Sequence, residues 1–298
     1  MMIEKAVIPV AGLGTRLLPA SKSQPKEMLP VGRKPVVQYV VEELADQGLR
    51  DVLFITGWKK RAIEDHFDES PELVQRLTGK SQWELLDALD PKASQLHFFY
   101  ARQKHPRGLG DAILYAERFV AESPFVVALG DAIIQYNNYS DLLRRLMGVH
   151  LKHSASATIA VKEVPDEELG LYGVVKPKEG ADSDAESFEI EDVVEKPSVE
   201  DAPSHYAISA RYVFSPIIFR ALRQTGQSGG EVGLSHAIRQ LMRMGAPVRC
   251  VKLKPEEMRY DIGNFETYFK TFIHFAIHDK ECGPAIREFI RMEMGLDV

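Results

Sequence analysis

The sequence is poor in cysteine, because its 298 residues include only Cys250 and Cys282. The two lie far apart and lack the Cys-x-x-Cys spacing of metal and redox motifs, which excludes a disulfide-rich fold and predicts two reduced thiols. A basic excess is absent too, since 37 Lys and Arg stand against 43 Asp and Glu, for a net charge of −6. This balance argues against a nucleic-acid partner, although a phosphate site needs only a few local cations.

Long apolar runs are also missing. Apolar residues make up 45% of the chain, yet no run approaches the roughly 20 residues that a membrane-spanning helix needs. The short run Ala6–Ala11 follows Glu4 and Lys5 and is typical of a buried strand, not of a signal peptide. We therefore expect a cytoplasmic protein without a membrane partner.

Strand and helix patterns alternate through the first half of the chain. Continuous apolar strands between amphipathic helices indicate a parallel sheet covered on both faces. The predicted strands are Lys5–Ala11, Asp51–Thr56, Gln95–Ala101 and Pro124–Leu129. The predicted helices are Pro35–Gln47, Lys59–Phe67, Pro71 to about Leu89 with a break near Thr78–Ser81, and Gly110–Ala121.

The second half opens with strand patterns and returns to helices near its end. We predict one α/β domain over residues 1–298 with a Rossmann-like, mostly parallel sheet flanked by helices. The strands of the second half are expected to lie over the open end of that sheet. These strands are Ala155–Val161, Gly173–Lys176, Ser187–Glu195 and His205–Phe214, and the helices are Pro216–Gln224, Val232–Met244, Asn264–Asp279 and Pro284–Met294.

The first predicted strand runs into Gly12-Leu13-Gly14, which places bare backbone where α/β sheets bind ligands. Glycine lets a phosphate approach the backbone N–H groups closely. The third glycine of a dinucleotide fingerprint falls on Leu17, however, and the prolines that follow forbid the required helix. A Walker loop also fails, because the partner glycine of Gly79-Lys80-Ser81 is Val74.

Cations follow the glycine loop. Thr15, Arg16 and Lys26 lie on the proline-rich segment after it. Arginine offers a two-pronged guanidinium for phosphate oxygens, and lysine offers a compact charge. Glycines combined with cations indicate a nucleoside triphosphate more than a dinucleotide.

Several motifs along the chain occur in a specific order. GLGTRLLPASKSQPKEMLP is followed by TGWKKRAIEDHFDES, RQKHPRGLGDAI, YGVV, VVEKP, AISARYVFSP and YDIGN. Together they resemble the sugar-nucleotide pyrophosphorylases, and more narrowly the bacterial UTP–glucose-1-phosphate uridylyltransferases, over nearly the whole chain. The resemblance implies the nucleotide-diphospho-sugar transferase fold, a nucleotide-binding half at about 1–135, a sugar-binding half with C-terminal helices at about 136–298, and a homodimer or homotetramer.

The resemblance also implies a reaction. A phosphate oxygen of glucose-1-phosphate would attack the α-phosphorus of UTP, giving UDP-glucose and pyrophosphate. Because the second pKa of such a phosphate is about 6, the nucleophile is already mostly dianionic at neutral pH and no protein base is needed. The site must instead hold two polyanions in line and stabilise the leaving oxygen, which suits glycines, cations and metal-binding carboxylates.

The charged residues of the motifs receive roles from the resemblance. Asp131 and Asp261, each after a strand-like stretch, would be the ligands of Mg²⁺, an ion that prefers one or two carboxylates and phosphate oxygens. Arg16 and Lys26 would hold the triphosphate, and Lys196 the sugar phosphate, as the catalytic cations. Taken alone, Asp131 could equally be a turn or capping residue.

The polar and glycine residues would bind the base and the sugar. A glutamine amide offers one donor and one acceptor to a pyrimidine edge, so Gln103 and the Gly108 backbone would bind uracil. Glu195 would accept from glucose hydroxyls beside the Gly173 backbone, with Lys196 on the sugar phosphate. The nucleotide-binding set is completed by Ala11, Gly12, Gly14 and Thr15.

Some positions depart from the family pattern. Gly130 and Ala132 flank the first predicted metal aspartate, where proline commonly precedes it, and Ala210 stands where glycine is usual. In the segment that resembles Gly-Glu-Ile-Gln-Leu-Thr-Asp, Gly233 replaces Gln and His236 replaces Asp. These changes leave the triphosphate and metal residues intact and bear on sugar selectivity.

Two other functions stay open on the sequence: the same chemistry with another base or sugar, such as a thymidylyltransferase, and a regulatory paralogue that binds without turnover. His274 and His278 are spaced like helical metal ligands but lack the Glu of His-Glu-x-x-His, so we expect a packing face there. His150 and His153 are expected to stabilise the negative end of a helix.

Overall fold

The computed structural model describes residues 2–88, 92–135, 139–182, 185–226 and 231–295. Its strands are β1 Lys5–Pro9, β2 Pro30–Val31, β3 Lys34–Pro35, β4 Asp51–Thr56, β5 His97–Arg102, β6 Phe125–Ala128, β7 Ala132–Gln135, β8 Ala157–Glu163, β9 Gly173–Pro177, β10 Ser187–Glu195, β11 Tyr206–Phe214, β12 Val248–Lys252 and β13 Met258–Asp261. Its helices are α1 Val36–Asp46, α2 Arg61–Phe67, α3 Pro71–Gly79, α4 Trp83–Ala88, α5 Leu109–Leu114, α6 Glu117–Val120, α7 Leu142–Lys152, α8 Asp166–Leu169, α9 Ile217–Gln224, α10 Leu234–Arg243, α11 Phe265–Ile277 and α12 Gly283–Glu293, with 3₁₀ turns at Thr15–Leu17, Lys26–Met28 and Ala93–Gln95.

One mixed sheet crosses the molecule in the order β5-β4-β1-β6-β11-β8-β12-β10-β9. The predicted parallel part is confirmed, because β5, β4, β1 and β6 all run parallel. Their carboxyl ends therefore meet at one edge, where α/β sheets bind ligands.

The strands of the second half do not lie over the open end of the sheet, as we expected, but extend the same sheet sideways. β11 pairs antiparallel with both β6 and β8, and β12 pairs parallel with β8. β11 is buried along almost its whole length, so its backbone N–H and C=O groups need hydrogen-bonding strands on both edges, which β6 and β8 provide. The sequence analysis missed β12, whose Arg249 and Lys252 interrupt its apolar pattern, and it joined α5 and α6 into one helix.

The sheet separates two apolar layers. Ala6 and Ile8 of β1 pack with residues of α1 and α7, whereas Val7 between them packs with residues of α5, α9 and α10. This alternation follows from the two-residue period of a strand. Because both faces of the central strands are covered, a polar side chain within them, such as Arg211 of β11, is buried and needs partners inside the protein. No helix in the described ranges has the length and apolar character needed to cross a membrane.

His150 is not the exposed helix-end cation that we expected. It is 3% exposed, and its two ring nitrogens contact the hydroxyls of Thr158 and Ser215, each at 3.1 Å. Burial lowers the pKa of His150 to about 4. The ring is therefore neutral in the folded protein at physiological pH.

We predict that this histidine makes stability depend on pH. Its pKa is about 6.5 in the unfolded chain, so between that value and its folded pKa the unfolded state binds a proton that the folded state does not. The contribution of His150 to the free energy of unfolding is fully present above pH 6.5. It decreases as the pH is lowered, and at pH 5 it is smaller by about 2 kcal/mol. Urea unfolding at pH 7 and pH 5 should show a smaller loss of stability in His150→Asn than in wild type or His153→Asn. An unchanged loss in His150→Asn would contradict the assignment.

Arg211 is a fully buried charge near the centre of the sheet, with 0% of its surface exposed. Its guanidinium bridges β11 to Glu43 on α1, with Nη2 at 2.6 Å and Nε at 3.0 Å from Oε2. It also donates to the carbonyl oxygens of Ala132 at 2.9 Å and Ala210 at 3.1 Å. Burial raises the pKa of Glu43, and the guanidinium opposes this rise. Nη1 of Arg211 also lies 3.5 Å from the carbonyl oxygen of Leu129, so the guanidinium contacts backbone oxygens on both sides of Asp131.

Arg211→Ala should lower the free energy of unfolding by about 3–5 kcal/mol, because it leaves a buried carboxylate and two carbonyl oxygens without their donor. Arg223→Ala is a matched control, since Arg223 pairs with Glu117 at 2.7 Å on the surface; its expected loss is at most about 1 kcal/mol. If urea unfolding showed the same loss of unfolding free energy in both variants, the buried pair would contribute no more to stability than the surface pair.

Candidate active site

The predicted nucleotide residues meet at the carboxyl edge of the parallel strands. The backbone N–H of Gln103 donates to the carbonyl oxygen of Thr56 at 2.9 Å, which places the end of β5 against the end of β4. A Cβ added to Gly57 would lie only 3.0 Å from the carbonyl oxygen of Ala11. The ends of β5, β4 and β1 are therefore in direct contact, and Gln103 and Ala11 face the same edge.

The glycine loop folds back over Lys26. Gly14 adopts the left-handed φ of +66°, and a Cβ there would lie 3.4 Å from the Lys26 Cβ. Its carbonyl oxygen accepts from the Ser21 hydroxyl at 2.7 Å. Thr15 and Arg16 form an exposed 3₁₀ turn next to this glycine. The loop thus presents backbone, a guanidinium and an ammonium on one side.

The two predicted metal aspartates lie side by side. β7 and β13 pair antiparallel with Asp261 opposite Ala132, and the N–H of Ile262 donates to the carbonyl oxygen of Asp131 at 3.3 Å. The Asp261 carboxylate accepts from the N–H of Gly263 at 2.5 Å. Burial raises the pKa of Asp261, and the negative charge of Asp131 raises it further.

Lys26 compensates part of this negative charge. Its ammonium forms an ion pair with Asp131. Burial alone would raise the pKa of Asp131, but the ammonium holds it below its usual value. Burial alone would likewise lower the pKa of Lys26, but the carboxylates of Asp131, Glu27 and Asp261 raise it. The cluster therefore contains fixed charges of both signs.

A second ion pair lies next to this cluster, on the residue that follows Lys26. The sequence analysis missed this pair. Lys60 at the start of α2 contacts Glu27 at 2.8 Å, with 6% and 3% of their side chains exposed. Because Glu27 follows Lys26 directly, the pair fixes the turn that carries the site lysine. A signal was available in the sequence, since Glu27 directly precedes the apolar residues Met28 and Leu29 in a turn flanked by prolines.

The amide of Gln103 is held by Asp111, another residue that the sequence analysis did not single out. Its Nε2 donates to Asp111 Oδ2 at 2.7 Å, and Arg107 Nη2 lies 3.1 Å from Asp111 Oδ1. Gly108, with φ of +92°, packs so closely that a Cβ would lie 3.0 Å from the carbonyl oxygen of Val232. The turn beside Gln103 is therefore fixed against the segment that precedes α10.

A cavity of about 420 Å³ lies next to the aspartates. Gly173, Glu195 and Asp261 all line it. The Glu195 carboxylate accepts from the Ser235 hydroxyl at 2.6 Å, and a Cβ on Gly173 would lie 3.3 Å from Glu195 Oε2. A larger cavity of about 950 Å³ between α1 and α11 contains none of the predicted site residues, so volume alone does not locate the site.

Lys196 is less closely integrated than the other predicted residues. It follows β10 with a left-handed φ of +46°, and its N–H donates to the carbonyl oxygen of Tyr172 at 3.0 Å. Within the described ranges its exposed ammonium has no acidic partner. A left-handed backbone in a residue other than glycine is costly and is often found at functional sites.

The departures from the family pattern have structural counterparts. A Cβ at Gly130 would lie 2.7 Å from Val10 Cγ1, so the packing of β1 requires glycine there. A Cβ at Gly233 would lie 2.6 Å from Nδ1 of His236. The glycine therefore leaves room for the imidazole in this orientation. Ala210, with a left-handed φ of +55°, lines the same cavity as His236.

Of the two histidines, His274 packs against aromatic rings on α11 and β13, whereas His278, which follows α11, is exposed. His274 Nε2 lies 2.8 Å from the Tyr260 hydroxyl, and the rings of His274 and His278 are 4.3 Å apart. In the part of the chain that the structure describes, no group of three or more His, Cys, Asp or Glu side chains could hold a metal ion. A metal at Asp131 and Asp261 would thus need further ligands from water or from a substrate.

Known proteins are similar to this chain in sequence and in fold. The nucleotidyl transferase family model matches residues 5–276. The chain is similar to the UTP–glucose-1-phosphate uridylyltransferases of Bacillus subtilis, at 43% identity over 97% of this chain and 96% of that protein, and of Streptococcus pyogenes, at 44% identity over 97% and 93%. A UTP-bound UGPase from Acinetobacter baumannii superimposes with a TM-score of 0.87 at 33% identity, over 97% of this chain and 99% of that one. The chain belongs to the nucleotidyl transferase family.

Proposed function

We propose that the protein transfers a uridylyl group from UTP to glucose-1-phosphate, giving UDP-glucose and pyrophosphate. The observation that carries the proposal is the position of Asp261, which belongs both to the charged cluster of Lys26 and Asp131 and to the wall of the cavity that contains Glu195. A phosphate held at the cluster would thus border directly on a hydroxyl-binding cavity. Relatives named for this activity match the chain along nearly its full length.

The triphosphate would be bound by the glycine loop. The backbone at Gly12 and Gly14 lets phosphate oxygens approach, and Thr15, Arg16 and Lys26 donate to them. The nucleophile needs no protein base, because the sugar phosphate is mostly dianionic at neutral pH. The main task of these residues is therefore to hold the α-phosphorus in line with the attacking oxygen and to stabilise the departing pyrophosphate.

The base would lie between two neighbouring strand ends. Gln103 and the backbone of Gly108 face one edge of it, and the backbone of Ala11 and Gly12 lies on the adjacent strand. An amide and a backbone group match the donor and acceptor atoms of a pyrimidine.

The sugar would occupy the smaller cavity. Glu195 can accept from two neighbouring hydroxyls of glucose, and the Ser235 hydroxyl, at 2.6 Å, fixes the carboxylate. The Gly173 backbone would border the sugar ring, since it lies next to the Glu195 carboxylate. A Cβ on Gly173 would be 3.3 Å from Glu195 Oε2. Lys196 would neutralise the sugar phosphate, and its exposed side chain on a strained backbone supports this role.

Asp131 and Asp261 would hold Mg²⁺. Two adjacent carboxylates, one with its pKa raised by the other, are a suitable donor set for a divalent cation that takes its remaining ligands from phosphate and water. When bound, the ion supplies positive charge to the phosphates. Lys26, already paired with Asp131, adds a second positive charge at the same place.

Asp131→Asn and Asp261→Asn should each lower kcat by about 100-fold or more, because the carboxylate charge that holds the cation is lost while the shape is kept. Asp166→Asn, which removes a surface carboxylate paired with His205, should leave kcat unchanged. Turnover is measured by pyrophosphate release over a range of Mg²⁺ concentrations, with circular dichroism to verify folding. Near-normal turnover of either site variant at low Mg²⁺ would remove that residue from the metal site.

The substrates can be tested directly by comparing kcat/KM for glucose-1-phosphate, galactose-1-phosphate and N-acetylglucosamine-1-phosphate, each with UTP and dTTP. We expect glucose-1-phosphate with UTP to be best, and dTTP to be used about tenfold less well, because one methyl group contributes only about 1–3 kcal/mol of discrimination. A higher kcat/KM with dTTP or with another sugar phosphate would favour the same chemistry with another base or sugar, such as a thymidylyltransferase. Binding without turnover on every pair would favour a regulatory paralogue.

We also propose a cytoplasmic homo-oligomer, either a dimer or a tetramer. Both cysteines are free thiols, in agreement with a reducing compartment. α11 and α12 expose large apolar side chains, and a second copy of the chain would cover them. These include Phe269, Phe272, Ile273, Phe289 and Met292. The molar mass from light scattering tests this assembly, and a monomer at micromolar concentration would contradict it.

A further inference from the structure

The orientation of the Gln103 amide is determined by its buried neighbours. Gln103 and Asp111 are 5% and 4% exposed. The Gln103 Nε2 lies 2.7 Å from Asp111 Oδ2 and 3.4 Å from the carbonyl oxygen of Gly108. Both of these oxygens are acceptors, so the amide atom between them must be the one that carries hydrogens.

Asp111 is itself held in place as an acceptor. Arg107 Nη2 lies 3.1 Å from Asp111 Oδ1, so a permanent cation faces one oxygen of the carboxylate while the other faces Gln103. If the Gln103 amide turned over, its carbonyl oxygen would face a carboxylate oxygen and a backbone carbonyl oxygen. Two acceptors in contact without a proton are strongly unfavourable in a buried place.

The remaining amide atom, Oε1 of Gln103, keeps its acceptor capacity. No described residue donates a hydrogen bond to it. The only enclosed side-chain polar atom without a partner within the described ranges is Nε of Arg249, so Oε1 of Gln103 retains contact with solvent. It is the atom that Gln103 can offer to a ligand at the strand edge.

We propose that Asp111 is a positioning residue that makes Gln103 select nucleotides whose base carries a hydrogen on N3. Uracil and thymine have this N3–H donor, whereas N3 of cytosine is an acceptor. The proposal rests on the proposed function, in which Gln103 contacts the base. It assigns the discrimination against cytosine to a residue that does not touch the nucleotide.

The physical reason is that Gln103 cannot adapt to the wrong base. A free glutamine would turn its amide and offer Nε2 to the N3 acceptor of cytosine. Asp111 and the Gly108 carbonyl oxygen prevent this rotation, so cytosine meets an acceptor with its own acceptor. A site that must leave buried polar groups unpaired rejects the analogue far more strongly than a site that only loses a methyl contact.

The test is the ratio of kcat/KM for UTP to kcat/KM for CTP in Asp111→Asn. In this variant the Asn oxygen will face the Arg107 guanidinium, because a cation attracts the carbonyl oxygen of an amide and repels its NH₂ group. The Asn NH₂ group will therefore face Gln103. The Gln103 carbonyl oxygen then turns toward that donor and Nε2 turns toward the base, because only the longer contact with the Gly108 carbonyl oxygen, at 3.4 Å, still opposes the rotation. We expect the UTP/CTP ratio to fall by about tenfold or more. Because both substrates are measured on one preparation, the folded fraction cancels from the ratio.

Two controls separate positioning from a general structural effect. Glu117→Gln also breaks a carboxylate–arginine pair, with Arg223 at 2.7 Å, but has no contact with Gln103, and should leave the ratio unchanged. In a Gln103→Ala background, Asp111→Asn should no longer change the ratio, because Asp111 acts only through the amide.

The inference is overturned if Asp111→Asn keeps the wild-type ratio, if the ratio falls equally in the Gln103→Ala background, or if the wild type uses CTP as well as UTP. A wild type that prefers dTTP or another sugar phosphate would change the proposed function and not this inference. Thymine carries the same N3–H, so the comparison is then made between dTTP and dCTP with the preferred sugar phosphate, and the same outcomes decide it.

Discussion

The rest of the structure depends on one buried ion pair, Arg211 with Glu43. It connects the central antiparallel strand of the sheet to the first helix, and its remaining donors hold the carbonyl oxygens of Leu129 and Ala132, on either side of Asp131. A buried pair of this kind stabilises little compared with apolar packing. Its effect is on geometry, because it determines where the chain can turn at the end of β6. The ion pair thus fixes the position of Asp131, the proposed metal ligand, through the backbone on either side of it.

Electrostatic balance is the second constraint on the site. Asp131, Asp261 and Glu27 face Lys26 and Lys60, with Arg16 at the rim, so the cluster is close to neutral before any ligand arrives. Under the proposed function, two polyanionic substrates would disturb this balance strongly. A divalent cation carried with the triphosphate would restore it, which would account for carboxylates in a phosphate-binding site.

The sequence predicted the parts of the fold that have strong local signals. The glycine loop, the parallel strands and the helices were located because apolar periodicity and glycine or proline positions are read from neighbouring residues. It did not predict the sideways extension of the sheet by β11 and β12, since strand order depends on long-range pairing. The Lys60–Glu27 pair and the Asp111–Gln103 contact were also missed, because they join residues 33 and 8 positions apart. The predicted roles of the site residues still await measurement.

The contact between Gly233 and His236 has a consequence for the orientation of the imidazole. With the ring in its present position, a side chain at position 233 would collide with it, since the first side-chain carbon would already be 2.6 Å away. His236 is exposed and its ring can rotate, so a larger residue at position 233 would turn the ring away from its present place in the wall of the smaller cavity. The glycine therefore decides which face of the imidazole this cavity presents to a ligand.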